Sequence, residues 1–177
     1  MRIAPTIISS IVKRRAVGKI DTTAKIGFSA RISNLTGDSN SLTVGKHSRI
    51  DGEIIIYPGA QVEIGDYCYI GKNTRVWAYS SIKLKDYVII AHHVSVMDST
   101  THPVKFLERK LQVQKQLTGQ FLDPRSLDLK PAPIVMEEGV WVCANATILR
   151  GVRIGREAII SAGMVVRQTV PSRTVVR

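Results

Sequence analysis

The stretch PIVMEEGVWVCANATILRGVRIGREAIISAGMVV, from Pro133 to Val166, carries an aliphatic residue at every sixth position from Met136 onward. A period of six does not fit an α-helix, which has about 3.6 residues per turn. The pattern therefore predicts short β-strands joined by tight turns. The residues at these sixth positions, called openers below, are Met136, Val142, Ile148, Ile154, Ile160 and Val166.

The same period runs through the upstream half of the chain, with informative interruptions. Two extra residues enter after Ile56 and again after Val76, and a much longer insertion follows Val96. Each of these three residues is the third opener of a set. The pattern therefore predicts coils of three strands that accept extra residues at one corner. The upstream openers are Val44, Ile50, Ile56, Ile64, Ile70, Val76, Leu84, Ile90 and Val96, with weaker members at Ile26 and Ile32.

Coils of this kind stack into a three-sided prism with the openers inside. One coil buries little by itself, so several must stack and the ends need caps. Glycine follows several openers, and we expect these glycines to supply the positive φ of the corners. They are Gly27, Gly45, Gly65, Gly71 and Gly155.

The repeat of an aliphatic residue, a glycine and a small residue resembles the hexapeptide-repeat acyltransferases, among them the galactoside, maltose and polysaccharide O-acetyltransferases. The resemblance covers about residues 26–171. It implies an all-β fold, the left-handed parallel β-helix, and the hand comes from the resemblance alone. The expected division is a basic, helical N-terminal cap at 1–25, coils at 26–98, an inserted loop at 99–133, coils at 134–171 and a tail at 172–177.

The resemblance also implies an activity, acetyl transfer from acetyl-CoA to a sugar hydroxyl in lipopolysaccharide, capsule or another exported polysaccharide. A histidine at the start of the inserted loop is the general base in such enzymes, and it matches His102 in VMDSTTHPV. A base near neutral pKa suits removal of the hydroxyl proton. The alternative is a turn residue before Pro103. Asp98 is expected to orient the imidazole or contact the acceptor, with a surface turn as its alternative.

Other site residues follow from the resemblance in the same way. The backbone N–H of Ala144 is expected to face the thioester oxygen, and Trp141 lines the same cleft or a subunit seam. Acetyl-CoA is expected along the prism edge near Ala144 and Ala162, with Arg167 among the candidates for a phosphate contact. The family is usually trimeric, with active sites between subunits, so we expect a homotrimer.

On the acceptor side, Gly71 stands where galactoside and maltose enzymes have an asparagine, and Asn73 follows two residues later. This departure favours a sugar within an exported glycan. The basic N-terminus would suit a lipid-linked acceptor of that kind. We expect Asn73 and His92 to contact the acceptor, although a solvated corner is the alternative for His92. The histidine spacing does not match the zinc carbonic anhydrases that share this fold, so we expect no metal.

Composition sets broader limits. The 25 Lys and Arg residues exceed the 14 Asp and Glu residues, which predicts acidic partners such as coenzyme phosphates or merely a solubilising charge. We expect no nucleic-acid binding, because no binding motif accompanies the charge. Two cysteines without metal spacing, and no apolar run of roughly eighteen residues, suit the cytoplasm. Residues 1–19 are either a basic amphipathic helix at the inner face of the membrane or a segment packed on its own domain.

Two other functions remain open from the sequence. A sugar N-acyltransferase would use the same base on an amine. A catalytically silent β-helix would keep the six-residue period and serve as an assembly scaffold.

Overall fold

The computed structural model describes residues 18–120 and 122–177. In this part of the chain, short parallel strands form three sheets, named A, B and C. Sheet A contains β1 (Lys19–Ile20), β4 (Leu42–Val44), β7 (Gln61–Ile64), β10 (Ser81–Leu84), β13 (Ile134–Met136) and β16 (Arg153–Ile154). Sheet B contains β2 (Lys25–Ile26), β5 (Arg49–Ile50), β8 (Tyr69–Ile70), β11 (Ile89–Ile90), β14 (Trp141–Val142), β17 (Ile159–Ile160) and β19 (Val175–Val176). Sheet C contains β3 (Arg31–Asn34), β6 (Glu53–Ile56), β9 (Arg75–Ala78), β12 (Ser95–Met97), β15 (Thr147–Leu149) and β18 (Val165–Val166).

The strand registers confirm the six-residue period. Each coil runs through one strand of sheet A, one of B and one of C, and most openers pair with the opener of the next coil. Ile64, for example, pairs with Val44 on one side and Leu84 on the other. Ile56 is an exception, because Ile54 pairs with Val76 and Ile56 pairs with Ala78. The openers from Val44 to Val166 are all at most 4% exposed, so they form a continuous aliphatic core inside the prism.

The glycines that follow the openers have a different role from the predicted one, and the expectation of positive φ there was wrong. At Gly71 an added Cβ would lie 2.6 Å from the backbone carbonyl carbon of Ala91 in the next coil. These glycines therefore permit close stacking of coils. Positive φ falls instead three residues after the opener and is adopted mainly by other residue types, namely His47, Tyr67, Asn73, Tyr87, His93, Asn145 and Glu157.

The inserted loop leaves the prism at the corner that the sequence predicted. The chain leaves sheet C after β12 and returns to sheet A at β13, and the shorter extra segments after β6 and β9 lie at this same C-to-A corner. The loop is partly helical, as expected. It contains the helix α1 (Phe106–Leu117) and a 3₁₀ turn at Pro124–Ser126.

Both ends of the described prism extend beyond the boundaries assigned from the sequence. Strand β1 begins at Lys19 and pairs with β4, so the first coil starts before residue 26. Strand β19 lies within the expected tail and pairs with β17. The proposed N-terminal helix falls mainly on residues 1–17, outside the described residues. Across the described ranges, no helix has the length and apolar content to span a membrane.

Candidate active site

His102 lies just beyond β12, exposed at the C-to-A corner. Its Nδ1 atom is 2.8 Å from Oε1 of Gln112, a side chain on α1 that is only 5% exposed. The amide orientation is supported by Gln112 Nε2, which donates to the carbonyl of Thr101 at 3.4 Å. Because Oε1 can only accept, this orientation assigns the ring proton to Nδ1 and leaves the Nε2 lone pair free. A general base requires such a lone pair.

The loop around His102 is tied down by its own polar contacts. Thr100 donates its N–H to the carbonyl of Leu129 at 2.8 Å, and its hydroxyl donates to the carbonyl of His102 at 2.8 Å. Arg109 on α1 donates to the carbonyls of Pro103 and Val104, both at 2.8 Å. The start of α1 is thereby fixed next to the histidine, which explains how a helix can present Gln112 to it.

A cavity of about 820 Å³ opens beside His102, between the prism and the loop. Tyr57 and Tyr79 stack in its wall with ring centroids 3.9 Å apart and an interplanar angle of 15°. Trp77 completes an aromatic wall, and its indole N–H donates to Glu53 at 3.2 Å. The prism also contributes Leu35 and Pro58, and the loop contributes Thr101, Gln112, Gln116, Gly119, Gln120, Leu122, Leu127 and Leu129.

Asp98 occupies a different place from the one expected. Its side chain is fully buried, and its two carboxylate oxygens accept from the N–H groups of Tyr79 and Ser80, both at 2.7 Å. Burial raises the pKa of Asp98, while these two donors act in the opposite direction. Asp98 therefore holds the C-to-A corner beneath the cavity. The side chain that orients His102 is Gln112, which the sequence analysis missed.

Several of the residues expected to bind coenzyme or acceptor, among them Ala144, Ala162 and His92, lie on the opposite edge of sheet C, at the B-to-C corner. The corner of Ala162 stacks directly on that of Ala144, because Gly163 donates its N–H to the Ala144 carbonyl at 2.9 Å. The corner of His92 lies on the other side, where Asn145 donates to the His92 carbonyl at 3.2 Å. Within the described ranges, the Ala144 N–H has no protein acceptor. It is therefore a free donor on this edge.

Asn73 shares the B-to-C corner one coil further toward the N-terminus, where its Nδ2 lies 3.3 Å from Nε2 of His93. Trp141 lies on the outer face of sheet B, 46% exposed, between Ile89 and Ile159 of the neighbouring strands. Arg167 is exposed and follows β18 directly. The structure thus separates His102 from Ala144 and Ala162, which lie at the B-to-C corner, whereas Arg167 follows a strand of sheet C and shares the C-to-A edge with His102.

The histidines are distributed over different corners. His47 stacks on Tyr67 at the A-to-B corner with ring centroids 5.0 Å apart, whereas His92 and His93 are edge to face at 5.5 Å. In residues 18–120 and 122–177, no group of three metal-ligating side chains comes together.

Helix α1 is amphipathic, and its apolar side chains face away from the prism rather than toward it. Gln112 is the buried residue of the helix, and Leu117 is 83% exposed. The outward apolar surface comprises Phe106, Leu107, Leu111, Val113 and Leu117.

Part of the chain matches a known protein family. The family described as the hexapeptide repeat of succinyl-transferase matches residues 133–168. This segment of the chain therefore carries the hexapeptide repeat of that family. The match covers the C-terminal coils, which include Ala144, Ala162 and Arg167.

One relative in sequence, a 2,3,4,5-tetrahydropyridine-2,6-dicarboxylate N-acetyltransferase of Staphylococcus aureus, is 51% identical over 45 residues, which is 25% of this chain. The aligned segment is 19% of that relative's length.

Two solved structures share most of the fold. A mutant of AntD, an N-acyltransferase from Bacillus cereus in complex with dTDP and coenzyme A, has a TM-score of 0.69 at 16% identity and covers 94% of this chain and 82% of its own. The polySia-specific acetyltransferase NeuO has a TM-score of 0.63 at 23% identity and covers 89% of this chain and 69% of its own. The shared fold is the left-handed parallel β-helix with all-β coils.

Proposed function

We propose that this hexapeptide-repeat protein transfers an acetyl group from acetyl-CoA to a sugar hydroxyl, in the biosynthesis of lipopolysaccharide, capsule or another exported polysaccharide. The observation that carries the proposal is His102 beside a cavity of about 820 Å³, with Nδ1 bound to Gln112 and Nε2 left free. The acyltransferases among its relatives and structural neighbours support it, and the complex of AntD with coenzyme A supports acetyl-CoA as the donor.

In the proposed reaction, His102 Nε2 takes the proton of the acceptor hydroxyl as its oxygen attacks the thioester carbonyl carbon. The carbonyl π electrons move to oxygen and form a tetrahedral intermediate. When that intermediate collapses, the carbon–sulfur bond breaks and the imidazolium returns its proton to the coenzyme thiolate. Acetylated sugar and coenzyme A leave, and His102 is neutral again.

The free N–H of Ala144 suits the oxygen that becomes negative in the intermediate. Because Ala144 and His102 lie on different edges of sheet C, we propose that the two residues meet across the interfaces of a homotrimer. The exposed apolar surface of α1, and the row formed by Ile89 and Trp141 on sheet B, provide surfaces for such contacts. The trimers usual for this family support the same arrangement.

The B-to-C edge suits the coenzyme because its corners carry small side chains at Ala144 and Ala162, which permit close approach of the pantetheine arm. Coenzyme phosphates require cations, and Arg167 is an exposed guanidinium near the C-terminal end of the prism, on the adjoining C-to-A edge of sheet C. We therefore propose that the coenzyme extends from Ala144 toward the C-terminal coils.

Release of the coenzyme thiol from acetyl-CoA with a panel of sugars tests the function. The native chain is expected to release thiol, and His102→Ala is expected to be slower by about 100- to 10,000-fold, because loss of a general base has that effect. His47→Ala is the matched control, since His47 lies at the A-to-B corner. Equal rates for His102→Ala and the native chain would refute the role of His102. Absence of both turnover and coenzyme binding would favour an assembly scaffold.

An amino sugar is the second candidate acceptor. Two similar proteins are N-acyltransferases, and the same Nε2 lone pair would remove a proton from an attacking amine. A sugar panel that contains matched hydroxyl and amino compounds separates these two acceptors in the thiol-release assay.

A further inference from the structure

We propose that the cavity beside His102 binds an uncharged sugar through an apolar face of the ring and disfavours acceptors that carry a carboxylate on the bound unit. The inference rests on the proposed function, because it names the acceptor class of that same site. It concerns binding, so it can be tested separately from turnover.

The first argument is the absence of formal charge in the cavity wall. Across the described parts of the chain, no Asp, Glu, Lys or Arg lines this cavity, although 22% of all residues in the chain are charged. His102 and two tyrosines are the titratable groups in the wall. A carboxylate bound here would lose hydration and gain no cationic partner, which is costly.

Four cations of the loop are engaged by contacts outside the cavity, which helps to explain how a basic chain forms a neutral cavity. Arg109 donates to two backbone carbonyls at the start of α1. Other loop cations pair with loop acids near them in sequence, at 3.2, 2.6 and 2.7 Å respectively. These pairs are Lys105 with Glu108, Arg125 with Asp123, and Lys130 with Asp128.

Two carboxyl groups approach the wall from behind, and both oppose an anionic ligand. Glu53 accepts from the Trp77 indole, and Asp98 accepts from the backbone of Tyr79 and Ser80. These contacts hold the aromatic wall in place. They add negative rather than positive potential near the cavity.

The second argument is the match between the remaining wall and a neutral sugar. Tyr57, Trp77 and Tyr79 offer aromatic surface to the C–H face of a pyranose, and the amides of Gln116 and Gln120 offer donors and acceptors to hydroxyl groups. A cavity of about 820 Å³ is within the size range of sites that hold drug-sized ligands, so it has room for more than one sugar ring.

Binding of methyl glucoside and methyl glucuronide to the full chain provides the test, because the two sugars differ only at C6. Titration calorimetry is expected to give the glucoside an affinity at least about tenfold higher, as expected for a carboxylate without a partner. Gln116→Lys is expected to reverse much of that difference by supplying a cation. Gln114→Lys is the matched control, because Gln114 lies on α1 outside the cavity wall, and it should leave the preference unchanged.

Equal or tighter binding of the glucuronide to the native chain would overturn the inference, as would failure of both sugars to bind. A preference that Gln116→Lys does not alter would also overturn it. Thiol release from acetyl-CoA, measured on the same samples, distinguishes this failure from failure of the proposed function. If the glucoside binds more tightly but no thiol is released, acyl transfer is refuted and the inference about the acceptor stands. If thiol is released but the glucuronide binds more tightly, the inference about a neutral acceptor is refuted and acyl transfer stands.

Discussion

His102 depends on one neighbour, Gln112, for the position of its ring proton. The neutral amide holds Nδ1 and adds no charge, so the ring can lose and gain a proton during a catalytic cycle. We infer that Gln112 is a positioning residue for the proposed reaction.

Gln112→Glu tests this role through the pH dependence of the rate. A carboxylate at this place stabilises the charged imidazolium, so the acid limb of the rate profile should move to higher pH by about one unit. Gln112→Leu should lower kcat without that movement. Gln114→Glu is the control for added charge on α1. Identical profiles for Gln112→Glu and the native chain would contradict the role.

Sequence reasoning placed His102 at the start of an insertion, because the count of sixes fixes the corner at which the insertion occurs. It could not identify Gln112, since Gln112, Gln114 and Gln116 are equivalent in sequence and only the packing of α1 distinguishes them. It also misjudged Asp98, whose side chain turns inward to the backbone of the preceding coil.

At the scale of the structural element, neighbouring coils stack closely at the glycines that follow the openers. Gly71→Ala would place a methyl carbon 2.6 Å from a backbone carbon of the next coil, so the coils must separate locally. We expect a loss of about 1–3 kcal/mol in the free energy of unfolding, measured by chemical denaturation.

Gly163→Asn is the matched control for that substitution. Gly163 has φ of +74° and no atom within 4 Å of an added Cβ, and asparagine tolerates this conformation. A loss at Gly163→Asn as large as that at Gly71→Ala would contradict the stacking explanation.

The outer face of sheet A carries a pH-sensitive ion cluster around Glu137. Lys85, 2.6 Å away, and Arg153 hold the pKa of Glu137 below its usual value. A depressed carboxyl pKa stabilises the folded state above the unfolded pKa of about 4.3, and this contribution is lost as pH falls through the lower folded value.

Between about pH 5 and about pH 3, the native melting temperature should therefore fall more steeply than that of Glu137→Gln. Glu63→Gln, which removes a more exposed partner of Lys83 on the same sheet, is the control. Parallel curves for the native chain and Glu137→Gln would show that this cluster does not couple to folding.

The locations of the strands and corners could be predicted from the sequence, because parallel stacking places buried aliphatic residues at equivalent positions in successive coils. The outward apolar surface of α1 was not predictable in this way. A helical pattern gives the apolar and polar faces, but it does not say which face meets the prism.

At the scale of the whole molecule, the proposed site is divided between two edges of the prism. The six-residue period places His102 after a strand of sheet C and Ala144 before one, but it does not show how copies of the chain meet. Only the family resemblance predicts trimers. The unpaired N–H of Ala144 and the exposed apolar surfaces are the structural features consistent with that prediction.

Mixed assembly of two inactive variants tests this account most directly. His102→Ala lacks the base, and Ala144→Trp blocks the coenzyme edge, so each alone should release almost no thiol while its circular dichroism and trimeric mass match the native chain. Co-expressed in equal amounts, they should regain about one quarter of native activity, because random trimers pair an intact His102 with an intact Ala144 of a neighbouring subunit at that frequency. Mixed trimers that remain inactive, with their composition verified by mass spectrometry, would contradict a site shared between subunits.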